Sequence, residues 1–171
     1  MAELSERQIR ELDIDWYCLI NGVPTHIASM GGIIPNPFRD REQLRRIQDG
    51  VAQMEPFSDV RLNNENIQLL IAKGYEYLQD EMIRNAIENA NRNHPGFAYL
   101  ANFDLPTRLF ASTFVEKARR GFRSFARLEG AEGNEYVLIA EPVNPVEYHE
   151  GELRLKNLEC EMRDKGTRIV F

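Results

Sequence analysis

The run Ile14-Asp-Trp-Tyr-Cys-Leu-Ile20, then Asn21-Gly22, then Val23-Pro-Thr-His-Ile-Ala-Ser29 decides the fold. Two segments rich in β-branched and aromatic residues flank Asn-Gly, the dipeptide that best tolerates the two positive φ angles of a type I′ turn. With Asn21 and Gly22 as the loop, Ile20 faces Val23, Leu19 faces Pro24, Cys18 faces Thr25, Tyr17 faces His26 and Trp16 faces Ile27. Alternation then puts Ile14, Trp16, Cys18, Ile20, Val23 and Ile27 on one face, which is expected to be core. Tyr17 and His26 become a non-hydrogen-bonded pair on the other face, where side chains approach most closely. Pro24 donates no N–H, so the second strand is expected to begin as a sheet edge.

Outward from the hairpin, Ser5-Glu-Arg-Gln8 has the capping-box form and predicts a short helix that covers an end of the sheet. Downstream, Met30-Gly-Gly-Ile-Ile-Pro-Asn-Pro-Phe38 must be a loop. Asp40 caps a helix striped by Leu44, Ile47, Val51 and Met54. A longer helix is predicted from Asn63 or Asn64 to about Asn93, its stripe including Ile67, Leu70, Leu78 and Ile83. Another follows from Thr107 to Arg120, stopped by Gly121.

The pattern then turns to strands. Phe122 to Leu128 and Tyr136 to Ala140 flank the loop Glu129-Gly-Ala-Glu-Gly-Asn134, and a last hairpin joins Leu153–Met162 to Thr167–Phe171. The fold class expected is α+β in a single domain, residues 1–171. Its antiparallel sheet is built from hairpins (about 14–29, 122–140 and 153–171), with three or four helices packed on one face.

Composition bounds function. A chain of 171 residues with 43% hydrophobic and 28% charged residues is too apolar for disorder and too charged for a membrane protein. A net charge of −6 argues against wholesale nucleic-acid binding, which leaves a basic footprint over a domain. Cys18 and Cys160 form no CxxC pair, and the charged start lacks the apolar run of a signal peptide, so the cytoplasm is the expected location.

Motifs that carry chemistry are sparse. Glu147, His149, Glu150 and Glu152 do not make the HExxH of a zinc helix, and an acidic solvated segment is the simpler reading. Gly31-Gly32 lacks the GK[ST] of a P-loop, and neither a metal nor a cofactor is expected. No GxSxG elbow occurs, no base adjoins Ser29, Ser58, Ser112 or Ser124 in sequence, and Cys18 faces the core. Asp15, Tyr17 and His26 share the second face of the hairpin, where Tyr17 could orient an imidazole over a ligand site.

Two arginine clusters complete the inventory. Arg119, Arg120, Arg123 and Arg127 alternate with Phe122 and Phe125, a mixture that can grip a nucleic-acid backbone and stack bases. Arg120-Gly121-Phe122 begins like the RNP1 motif of RNA-recognition folds, but Phe122 and Phe125 are three apart and fall on opposite strand faces. Arg39, Arg41, Arg45 and Arg46 are partly neutralised by Asp40, Glu42 and Asp49.

The reading that follows is a non-catalytic interaction or regulatory module. It binds a protein partner or another copy of itself through an exposed sheet edge and an arginine-rich surface, and no membrane. A nucleic-acid-associated protein using residues 117–127, and a small-molecule enzyme or binder centred on Asp15, Tyr17 and His26, are the alternatives.

Overall fold

A computed structural model describes residues 2–74, 80–128, 134–144 and 153–171. The opening hairpin is β1 (Asp15–Ile20) and β2 (Val23–Ala28), turning through Asn21 at φ 50° and Gly22 at φ 77°. Its register is the one derived from sequence, pair by pair from Trp16 opposite Ile27 to Ile20 opposite Val23. Ile14, Trp16, Cys18, Ile20 and Ile27 are buried, whereas Val23 is 39% exposed. Val23 adjoins the turn, beyond the reach of the packing that covers the rest of that face.

The described strands form one mixed sheet in the order β1-β2-β4-β5-β7-β6, with β3 (Val60–Leu62) also pairing β5. Strand β4 is Arg123–Arg127, β5 Glu135–Pro142, β6 Glu161–Arg163 and β7 Arg168–Val170. The sheet is not purely antiparallel, because β2 and β4 run parallel. The chain between them is a long crossover that carries several helices, the connection that parallel pairing needs. Pairing with β4 starts at Thr25, opposite Arg123, so Pro24 sits where no N–H is required.

The sheet curls. Trp16, Cys18, Ile27, Phe125, Tyr136, Leu138 and Ile169 form a single cluster on its inner face. Along β1, Leu19 N–H donates to Lys156 O at 2.8 Å and accepts from Leu158 N–H through its own carbonyl. The segment entering β6 therefore occupies the edge of β1 at Leu19. The chain's own C-terminal segment thus takes the free backbone groups of β1, while β2 pairs with β4 only from Thr25, so its start at Pro24 is an edge as expected.

Among the described residues four helices have eleven or more residues: α2 (Arg41–Gln53), α3 (Asn64–Gly74), α4 (Glu81–Asn91) and α6 (Leu105–Ala118); α1 (Glu6–Glu11) and α5 (Pro95–Tyr99) are short. Ile67 and Leu70 of α3 and Phe110, Phe114 and Val115 of α6 pack on the outer face, against Ala28, Ala126, Val137 and Ile139. Ile47 and Val51 of α2 cover Tyr17 and Phe122. The helices do not all share one face: α1 puts Ile9 into the inner cluster and so closes an end of the curl. Its capping box at Ser5 and Gln8 is formed.

Two further expectations change. The long helix from 63 to 93 is two helices, because Asp80 is extended (φ −79°, ψ 116°) and its carboxylate accepts from Met82 and Ile83 N–H to start α4. The strand expected over Leu153–Met162 is reduced to Glu161–Arg163, the earlier part spending its hydrogen bonds on Leu19. Leu78 and the loop 129–133 lie outside the described residues.

Gly22→Ala isolates the turn, because a Cβ at this position meets nothing within 4 Å and only the positive φ penalises it. A loss of about 1–2 kcal/mol is expected in chemical denaturation, with an unchanged denaturant slope. No loss would mean that the turn does not hold the register.

Candidate functional site

The register of β1 and β2 and the parallel placement of β4 bring three polar side chains into line. His26 Nε2 lies 2.7 Å from Asp15 Oδ1, and His26 Nδ1 lies 2.5 Å from Ser124 Oγ. An ionised carboxylate only accepts, so Nε2 carries a proton and donates to Asp15; Nδ1 then accepts the Ser124 hydroxyl, or donates to it when the ring is protonated. The residue types are those of a serine nucleophile with its base, but the ring is turned about: in the hydrolytic arrangement Nε2 faces the serine and Nδ1 the carboxylate. Ser124 is 0% and His26 1% exposed. Only Asp15 reaches solvent, its side chain 44% exposed.

The chain of hydrogen bonds therefore cross-links β1, β2 and β4 beneath Phe114, whose ring centroid is 6.0 Å from that of His26. Tyr17 stacks obliquely on His26 at 5.2 Å and is itself buried. Burial, reinforced by the charge of Asp15, pushes the Tyr17 phenol far above its ordinary range despite Arg120, so it stays protonated. Burial likewise raises the Cys18 thiol, which leaves it inert as expected. Burial also opposes ionisation of Asp15, but the hydrogen bond and charge of His26, with Lys117 nearby, more than offset this and hold its carboxyl below the usual value. Asp15, Tyr17 and His26 are thus brought together as the sequence implies, with Ser124 as a fourth member that its distance in sequence concealed.

The arginines of the 119–127 cluster point in different directions. Arg119 lies over the Tyr99 ring at 4.7 Å, and Arg120 donates to Met54 O and Glu116 O. Arg123 donates to Gly166 O and pairs with Glu141. Arg127, at the far end of β4, donates to Met30 O. In the second cluster Arg41 donates to Gln8 Oε1, Arg45 lies 4.0 Å from Asp49, and Arg46 reaches Leu153 O.

One member of each cluster lines a common cavity. Arg39 and Arg127, joined by Arg10 of α1, border a space of about 350 Å³ with Glu6, Ile9, Gly31, Gly32 and Ile33. The loop is held there by Ser29, whose N–H donates to Ile14 O, and by Gly31 N–H donating to Leu12 O. Gly31 has φ +79°, and a Cβ on it would lie 2.8 Å from Arg10 O and 3.8 Å from Arg127 Nη1. Glycine at 31 thus lets the loop approach α1 and the guanidinium of Arg127. Its N–H is already used, so the glycines shape the cavity and do not cradle an anion themselves.

Arg10 carries no signal in the sequence, since only the docking of α1 on the end of the curl brings it to the other two. Among the described residues no three His, Cys, Asp or Glu side chains gather as a metal site; Glu147, His149, Glu150 and Glu152 lie outside them. No helix among the described residues is long and apolar enough to cross a membrane. No protein-family model, curated protein or solved structure matches the chain.

Asp15→Ala orphans a buried His26 donor and is expected to cost about 1–3 kcal/mol at pH 7. The folded carboxyl is more acidic than the unfolded one, so its contribution is complete above about pH 4 and is lost as pH falls through the lower folded value. Asp15→Asn keeps an acceptor for His26 but cannot titrate. Urea denaturation from pH 7 to pH 2 should show a shallower acid limb for Asp15→Asn; an unaltered limb would remove Asp15 from the acid response.

Proposed function

We propose that this chain is a non-catalytic binding module whose partner is an anion held between Arg10, Arg39 and Arg127. The observation that supports it is that three arginines, from α1, the loop before α2 and β4, line one cavity whose one carboxylate-bearing lining residue among those described is Glu6. Arginine is the residue suited to planar, bidentate capture of carboxylate or phosphate oxygens. In a chain of net charge −6, a local group of arginines is a place that attracts an anion. The Asp15–His26–Ser124 chain fits structure better than catalysis, because its serine and imidazole are buried and fully partnered.

Extended nucleic acid is the weaker reading. Arg119, Arg120 and Arg123 hydrogen-bond or stack within the fold, so residues 117–127 present no continuous basic track. Binding to nucleic acid through such a track would show a steep salt dependence that scales with the phosphates contacted.

Arg10 is exposed, and its one side-chain hydrogen bond among the described residues is a long 3.4 Å contact to Glu6 O, so Arg10→Ala should fold normally. Isothermal titration with inorganic phosphate and with citrate is expected to give saturable binding to the wild type and at least tenfold weaker binding to Arg10→Ala. Arg45→Ala, on the solvent face of α2, should bind like the wild type. Equal loss in both variants would mean diffuse attraction and not a site.

A further inference from the structure

We infer that the anion is dianionic, the phosphate group of a small phosphate monoester. This rests on the reading of the cavity as an anion site and concerns which anion it takes. The three guanidinium groups are not equivalent. Arg39 is already spoken for: its Nη1 lies 2.6 Å from Glu6 Oε1 and its Nε 2.6 Å from Ile34 O. Its charge is locally matched and its orientation fixed.

Arg10 and Arg127 have no ion-pair partner among the described residues, and Arg127 Nε is buried with no hydrogen-bond partner there. That enclosed Nε lies out of an anion's reach, so what the cavity offers is the charge of Arg10 and Arg127 that no carboxylate among the described residues neutralises. Two unmatched positive charges call for two negative ones. A carboxylate or a phosphodiester supplies one, whereas a phosphate monoester supplies close to two at neutral pH, with three acceptor oxygens.

Shape restricts the rest of the ligand. A cavity of about 350 Å³ has room for one small group. Its remaining walls, Ile9, Ile33, Gly31 and Gly32, offer apolar surface beside the phosphate. Gly31 N–H and Gly32 N–H are committed to Leu12 O and Ser29 O, so the walls present no row of backbone donors for a longer polyphosphate. The cavity is thus matched to the phosphate end of a small ester, whose organic part meets Ile9, Ile33 and the two glycines, with the Glu6 carboxylate held by Arg39.

The test is a titration series at pH 7.5 on the full chain, followed by calorimetry. Methyl phosphate, a dianion, is expected to bind at least tenfold more tightly than dimethyl phosphate or acetate, which are monoanions of similar size. Arg10→Ala and, as a second variant that keeps the charge, Arg127→Lys should each weaken methyl phosphate by tenfold or more. Equal affinity for methyl phosphate and dimethyl phosphate would overturn the dianion assignment while leaving an anion site standing. Failure of all three anions to bind would overturn the site itself. A phosphoserine heptapeptide that binds more than tenfold more tightly than methyl phosphate would overturn the small-ester source and assign the site to a phosphorylated protein.

Discussion

Everything in this fold is referred to the two positive φ angles at Asn21 and Gly22. They fix which residues of β1 and β2 stand opposite one another, and in a strand a slip of one residue exchanges the two faces completely. With this register Trp16, Cys18 and Ile27 fill the inside of the curl, and His26 turns outward to meet Ser124 and Asp15. It also sets where β2 ends. Ser29 can then strap the open end of the hairpin to Leu12 and Ile14, with its Oγ accepting from Ile14 N–H at 2.8 Å. That strap delivers Gly31 to α1 and Arg127, and the cavity exists because of it.

Two polar clusters grow from the same hairpin and differ in one respect. In the Asp15–His26–Ser124 chain every buried group that faces another has its partner, and the result is a cross-link between three strands. Around Arg127 the pairing is incomplete: Nη1 reaches Met30 O, but Nε does not reach an acceptor among the described residues. Satisfied buried networks rigidify a core, whereas Arg127 keeps a charge that no carboxylate among the described residues pairs with. Arg119 Nε is also unpaired, but its guanidinium lies over the Tyr99 ring, a contact that itself favours the cation.

Much of this was legible in the sequence wherever the cause was local. The hairpin register, the Ser5 capping box, the Asp40 cap and the stop at Gly121, which has φ 97°, each follow from a few neighbouring residues. The parallel β2–β4 pairing was not legible, because it spans a crossover whose two ends share no short-range signal. In sequence Ser124 therefore has no neighbouring base, and nothing distinguishes Arg10. Asp80 broke a helical stripe that continued on both sides of it, since the spacing of apolar residues cannot show a cap that competes with helix propagation. Arg39 and Arg127 fall in two separate sequence clusters, and only the curl of the sheet brings them to the border of one cavity.

The central claim is that Arg10 and Arg127, which have no ion-pair partner among the described residues, mark where the anion sits. The most direct measurement follows the arginine Nε–H resonances by ¹H–¹⁵N NMR as methyl phosphate is added. Saturable shifts confined to Arg10, Arg39 and Arg127, with Gly31 and Gly32 amides moving alongside, are the expected result. Shifts spread over Arg45, Arg46 and Arg163, or an unmoved Arg127 Nε–H at saturation, would contradict it.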